Sequence, residues 1–341
     1  MKNLNQKKNL QILLVVLLFF VINPLFAQRV NVKLASLVPE NTSWGVVINR
    51  LAAEWDRITG GQVKLTVYHG GTAGTESQVL TLLRSNQINA AIFTSMGLNA
   101  IADEFMTLSY PFLVRNNEEL NEVLRQLLPE LIQKLERDGF ITLASAHAGW
   151  VKLFTKTPFS TPNELRRMRL ASGGDDPQTI QAFRIMGYQV VPVDLNSVLM
   201  SLQSGRIDAT YLSPIFAAST QIFGIAGQMS NVNVAPFMGA ILINQVTWRK
   251  IPDRFKPALM DACKRAEREI TTSFAQSEAD AINTMLRYGL KINDMTPAQL
   301  QVWYDEINFY ENSLVGNVNP IFNRAFYLRI KNILTEFRRG R

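Results

Sequence analysis

Hydrophobic positions along the chain change period repeatedly, and each change marks a new element. Val30-Asn-Val-Lys-Leu-Ala35 alternates apolar and polar residues, the period-2 pattern of a half-buried strand. Asn41-Thr-Ser43 then offers N-cap side chains. Trp44, Val47, Ile48, Leu51 and Trp55 recur at helical spacing until Gly60-Gly61 stops the pattern. Val63–Tyr68 alternates again. Thr75 can cap a helix with Val79, Leu82 and Leu83 on one face, and Ala90-Ala-Ile-Phe93 reads as a short buried strand. Strand, helix, strand, helix, strand in this order predicts a parallel sheet covered by helices.

The pattern resumes after residue 140. Ile141–Ala146, Leu153–Lys156 and Arg169–Ser172 read as strands, followed by a helix around Thr179–Met186. Val190–Val193 is a strand, Ser197–Ser204 a helix closed by Gly205, Ile207–Leu212 a strand and Ala240–Asn244 a return strand. Asp253–Tyr288 is helical in pattern, with Gly289 placed to end it. At 1.5 Å per residue such a helix is about 50 Å long. It either bridges two lobes or breaks near Thr271-Thr272. Thr296-Pro-Ala-Gln299 opens another helix, and Pro320–Arg339 reads as the last. The expected architecture is α/β, with two lobes around a central cleft and a long lobe-spanning helix. Residues 28–148 plus about 237–276 would form lobe I. Residues 149–236 plus about 277–310 would form lobe II, with 311–341 a helical tail.

Composition changes the picture at the N-terminus. Lys2, Lys7 and Lys8 precede an apolar run from Ile12 to Ile22, and Asn23-Pro24 and Ala27 follow it. Residues 1–27 therefore read as a cleaved secretory signal peptide, because the run is shorter than the ~20 residues of a membrane span. The formal charge of +7 rests partly on those three lysines; without them 32 basic residues face 28 acidic ones. The basic residues are scattered, apart from Arg338, Arg339 and Arg341, so no nucleic-acid footprint is visible. Two His and one Cys give no basis for a zinc site or a disulfide framework. Cys263 lies in a helical pattern and reads as a small buried hydrophobe.

Candidate chemistry is sparse. No nucleotide-binding, metalloprotease or nucleophile-elbow motif occurs. Gly70-Gly71-Thr-Ala-Gly74 lacks the following Lys of a phosphate loop and reads as a tight turn. His147, near a strand end, is a lone candidate to face a ligand. Glu267 and Glu269 read as solvated charge on a helix. No cofactor, metal or enzymatic role is expected.

Several stretches carry a family resemblance. Val32-Lys-Leu-Ala-Ser36, Gly60-Gly-Gln-Val-Lys64, Tyr110-Pro-Phe-Leu113, Gly187-Tyr-Gln-Val-Val-Pro-Val193 and Leu202-Gln-Ser-Gly-Arg-Ile-Asp208 occur in order, before the long helix and Gly289. Over residues 30 to 310 the chain resembles the substrate-binding proteins of TRAP (tripartite ATP-independent periplasmic) transporters, the DctP family. The resemblance implies a periplasmic receptor whose lobes close on a small molecule and present it to membrane permease subunits. A helical-repeat (TPR) protein of the periplasm is a further implied partner, as in a ligand hand-over module.

The ligand positions depart from the family. Its members mostly bind carboxylates through an Arg that closes a motif like Asp-Leu-Lys-Gly-Leu-Lys-Ile-Arg. Glu164-Leu-Arg-Arg-Met-Arg-Leu-Ala171 matches that motif without gaps and ends in Ala171. A slip of two residues would put Arg169 there, on the same strand face, so Arg169 is the alternative anchor. A second family Arg falls at Val151, an Asn at Leu212 beside Tyr211, and an acid at Thr94. The replacements lower the polarity of one cleft, with Phe112, Trp150, Leu195, Phe237 and Met238 as further candidate lining. Apolar walls favour an apolar ligand by about 25 cal/mol per Å² buried. The expected ligand is therefore hydrophobic or amphipathic, with a carboxylate held by Arg169 as the competing reading.

Overall fold

A computed structural model describes residues 29–173, 177–316 and 320–340. The expected signal peptide lies outside them. The first lobe begins with β1 (Val30–Ser36), α1 (Ser43–Thr59), β2 (Val63–Tyr68), α2 (Glu76–Arg84) and β3 (Ala90–Thr94). Val32 and Leu34 are buried while Asn31 and Lys33 are exposed, as the alternation requires. Thr42 caps α1 by accepting from the Gly45 N–H, and Thr75 with Gln78 forms a capping box on α2. β1 pairs in parallel with both β2 and β3.

Short helices α3 (Ser95–Asn99) and α4 (Glu104–Leu108) lead to α5 (Asn117–Arg137), which the sequence reading did not identify. Then comes β4 (Phe140–Thr155), one 16-residue strand where the pattern suggested two pieces. Its register with its neighbour shifts between Thr142 and Ala144 and again between His147 and Trp150. Gly149 adopts φ +93° in the second irregularity. Those bulges break the alternation without ending the strand.

The second lobe contains α6 (Pro162–Leu165), β5 (Arg169–Ser172), α7 (Pro177–Ile185), β6 (Gln189–Pro192), α8 (Val198–Gln203), β7 (Ala209–Leu212), α9 (Pro214–Ser219) and β8 (Gln228–Ser230). The chain returns through β9 (Ala235–Asn244) and α10 (Gln245–Lys250). It ends with α11 (Lys256–Arg287), β10 (Lys291–Asn293), α12 (Pro297–Val315) and α13 (Arg324–Arg339). The strand order is β2-β1-β3-β9-β4-β7-β5-β6, with β8 beside β4 and β10 beside β8. β4 joins the halves. It pairs with β9 as far as Val151 and with β7 from Lys152 onward.

α11 does not break at Thr271-Thr272. The hydroxyls of Thr271, Thr272 and Ser273 each donate to the carbonyl four residues back, at 2.9, 2.8 and 2.7 Å, and the helix continues. Its first half packs Leu259, Ala262 and Cys263 against α1 and the first-lobe sheet, and Met285 near its end enters the second-lobe core. Gly289, at φ +99°, closes it in the left-handed conformation expected of a C′ glycine. Burial pushes the Cys263 thiol up to about 12. The tail is no appendage: Phe326, Ile330 and Leu334 of α13 complete the core beneath α5, and Arg338 forks onto Glu119 with two bonds of 2.8 Å.

Candidate functional site

A cavity of about 320 Å³ lies between the lobes. From the first lobe it is walled by Leu37–Pro39, by the Trp44 and Val47 face of α1, and by Thr94–Met96 at the β3–α3 junction. β4 and β9 contribute Val151, Phe237 and Met238 at the back. From the second lobe come Ala171 and Ser172 of β5, Leu195, Tyr211 and Leu212 of β7, and Phe216 of α9. Ala266, Glu267 and Ile270 of α11 line one side.

Eight of the ten candidate residues line this cavity: Thr94, Val151, Ala171, Leu195, Tyr211, Leu212, Phe237 and Met238. Phe112 and Trp150 do not. Phe112 sits at φ +58°, donates its N–H to the Val234 carbonyl, and packs against the rings of Trp303 and Tyr304 in the second-lobe core. Trp150 is buried in the first-lobe core and donates its indole N–H to Asn117 Oδ1 at 2.9 Å. Both are large aromatics that a core takes as readily as a ligand site.

Arg169 is also displaced from the role considered for it. Its guanidinium forks onto Asp208, with Nε–Oδ2 2.7 Å and Nη2–Oδ1 2.8 Å, on the exposed end of β5. It does not line the cavity; Ala171, two residues on, does. Lys152, the buried cation among the described residues, follows Val151 and so points to the other side of β4. Its Nζ donates to the Asn231 carbonyl at 3.2 Å and to Asn233 Oδ1 at 3.1 Å. Burial holds that ammonium below its usual range, opposed by the Glu278 charge. His147 does not line the cavity either; burial pushes its imidazole down to about 4.

Among the described lining residues there is no Lys, Arg or His; the charged ones are Glu76, Asp194 and Glu267. Glu76 accepts from the Thr94 N–H and hydroxyl, so it braces the start of α3. Glu267 corrects the solvated-charge reading. It is half-buried, accepts the Ser145 N–H at 3.0 Å, and burial raises its carboxyl above the usual range. Trp44 brings an indole N–H that is buried without a partner among the described residues, its ring 5.9 Å from that of Phe274. A ligand acceptor would satisfy that donor. None of Glu76, Glu267 and Trp44 was expected from sequence to line the site. Trp44 carried a signal, since it opens the apolar stripe of α1; Glu267 adjoins the apolar stripe of α11 and looks like its solvent side.

The lobes also touch each other directly. Asn99 Nδ2 of α3 donates to Gln178 Oε1 of α7 at 2.6 Å. Gly71, in the turn before α2, lies so near Asn196 that a Cβ there would stand 2.6 Å from its Nδ2.

Two α/β halves joined by crossing strands, with a partly open cavity between them, are the architecture of a two-lobed solute-binding receptor. The chain belongs to the bacterial extracellular solute-binding protein family 7, DctP, whose profile matches residues 34–313. A similar sequence is the 2,3-diketo-L-gulonate-binding periplasmic protein YiaO of Escherichia coli, 22% identical over 236 residues, covering 69% of this chain and 72% of that one. Two solved TRAP periplasmic solute-binding proteins share the fold. One, from Chromohalobacter salexigens with bound D-glucuronate, superposes with TM-score 0.80 at 17% identity, covering 89% of this chain and 99% of that one. The other, from Sulfurospirillum deleyianum with bound succinate, gives 0.78 at 19%, covering 89% and 98%.

Proposed function

We propose that this TRAP receptor takes a hydrophobic or amphipathic small molecule, closes on it, and presents it to a membrane permease. In this reading residues 28–148 with about 237–276 form one jaw and 149–236 with about 277–310 the other. The eight lining candidates contact the ligand, and residues 1–27 direct the chain to the periplasm. The observation that supports the reading is the cavity wall, which offers an anion no described cation and presents three carboxylates instead. A carboxylate there would lack charge-assisted bonds worth about 1.5–3 kcal/mol each and would meet like charge.

A second reading has a specific observation behind it: the solved neighbours hold glucuronate and succinate. On that reading this receptor takes a carboxylate through neutral donors such as Trp44 Nε1–H and the Ser172 and Tyr211 hydroxyls, without Arg169. The neighbours' ligands favour this reading and the wall chemistry favours the first. The deciding experiment is mass spectrometry of small molecules released from the purified protein, with calorimetric titration of decanamide, succinate and glucuronate. The apolar reading expects an apolar co-purified molecule and decanamide binding. Tight succinate or glucuronate binding without decanamide binding overturns it in favour of the second.

A further inference from the structure

The cavity does not end at the facing surfaces of the lobes. Val47 and Leu51 of α1, Ala144 of β4, Ile241 of β9 and Ala266 of α11 line it. The same five side chains belong to the buried core that α1 and α11 make with the first-lobe sheet. The cavity therefore extends to the edge of that core, and this part of it, here its arm, is lined by those five aliphatic side chains. The total volume of about 320 Å³ lies at the lower end of the roughly 300–1,000 Å³ usual for small-molecule sites.

We propose that this arm is a subsite for the hydrocarbon part of the ligand, whose polar head lies in the cleft between the lobes. The inference rests on the cavity being the ligand site. It extends the apolar reading by assigning the tail to a place, and it holds whether the head is neutral or acidic. The enclosing walls would remove each methylene from water as it enters, and the arm would stop rewarding chain length once filled.

The test is calorimetric titration of the mature receptor with two homologous series, butanamide to decanamide and butanoate to decanoate. In at least one series affinity rises about three- to fourfold per methylene and then levels off. Ala266→Leu and Ala144→Val, which narrow the arm from facing elements, each bring the plateau to a shorter chain. Affinity independent of length in the wild type overturns the arm and requires no variant. A plateau at the same length in both folded variants also overturns it, and so does silence of both series. The head group separates the two proposals. A rising alkanoate series with silent alkanamides keeps the arm and turns the head-group reading toward an acid. Flat binding of both series keeps an apolar-tolerant cleft and removes the arm.

Discussion

Arg169 and Ala171 stand two residues apart on β5, and their surroundings separate their roles. The guanidinium is committed to Asp208 in the open, while the methyl group faces the cavity. Arg169→Ala is expected to leave ligand affinity unchanged in calorimetric titration. The ion pair is exposed and screened by solvent, so the denaturant midpoint should move little. Ala171→Arg puts a long, charged side chain into the cavity and should weaken binding of an apolar ligand by at least roughly tenfold, since it takes the ligand's space and sets a polar group against it. Retained affinity would show that Ala171 makes no ligand contact. At this scale the sequence was legible where a position could be counted from a motif, as for Ala171 and Val151. It misled where only residue type spoke: Phe112 and Trp150 have the chemistry of a binding site and the packing of a core. Arg169 misled differently, because its partner Asp208 lies 39 residues away and strand pairing brings it near.

Among the elements, β4 decides how the halves meet. Its bulge at Gly149 carries the chain from one lobe's sheet to the other's with a left-handed residue packed against Phe274. A Cβ built there would lie 1.7 Å from Phe274 Cζ. Gly149→Ala therefore combines a backbone strain with an overlap, and should cost roughly 2–4 kcal/mol in chemical denaturation; a loss below about 1 kcal/mol would mean that the ring moves aside freely. Capped elements were readable in advance, since Thr42, Thr75 and Thr296 each announce a helix with a side chain that accepts from its first turn. β4 was not readable as one strand, because bulges interrupt the very alternation by which strands are recognised. The continuity of α11 was equally hidden. Hydroxyls that favour turns in a free chain here turn back onto the helix.

On the scale of the whole molecule, the lobes are in direct contact, through Asn99–Gln178 and through Gly71 against Asn196. Asn99 does not line the cavity. Asn99→Ala removes one neutral hydrogen bond worth about 0.5–1.5 kcal/mol. It should weaken ligand binding about two- to tenfold, chiefly through faster release seen in stopped-flow displacement. An unchanged release rate would show that the contact does not hold the jaws. The two-lobed plan was legible because the strand-helix alternation occurs twice. The cavity's extent was not, because it depends on how α1, α11 and the sheet come together from positions 47, 144 and 266.

The interleaving of the chain sets an order in time. β9 fills the place between β3 and β4, and the core beneath α5 draws on residues from Ala35 to Leu334. A nascent chain stopped before residue 235 would hold two strands with no third between them, and one stopped before residue 324 would lack the wall that α13 supplies. Neither lobe can finish first. Long-range pairing of this kind slows folding, so both jaws should acquire their native cores in one late step, after nearly the whole polypeptide exists. Until then the chain stays open enough to be threaded through a pore.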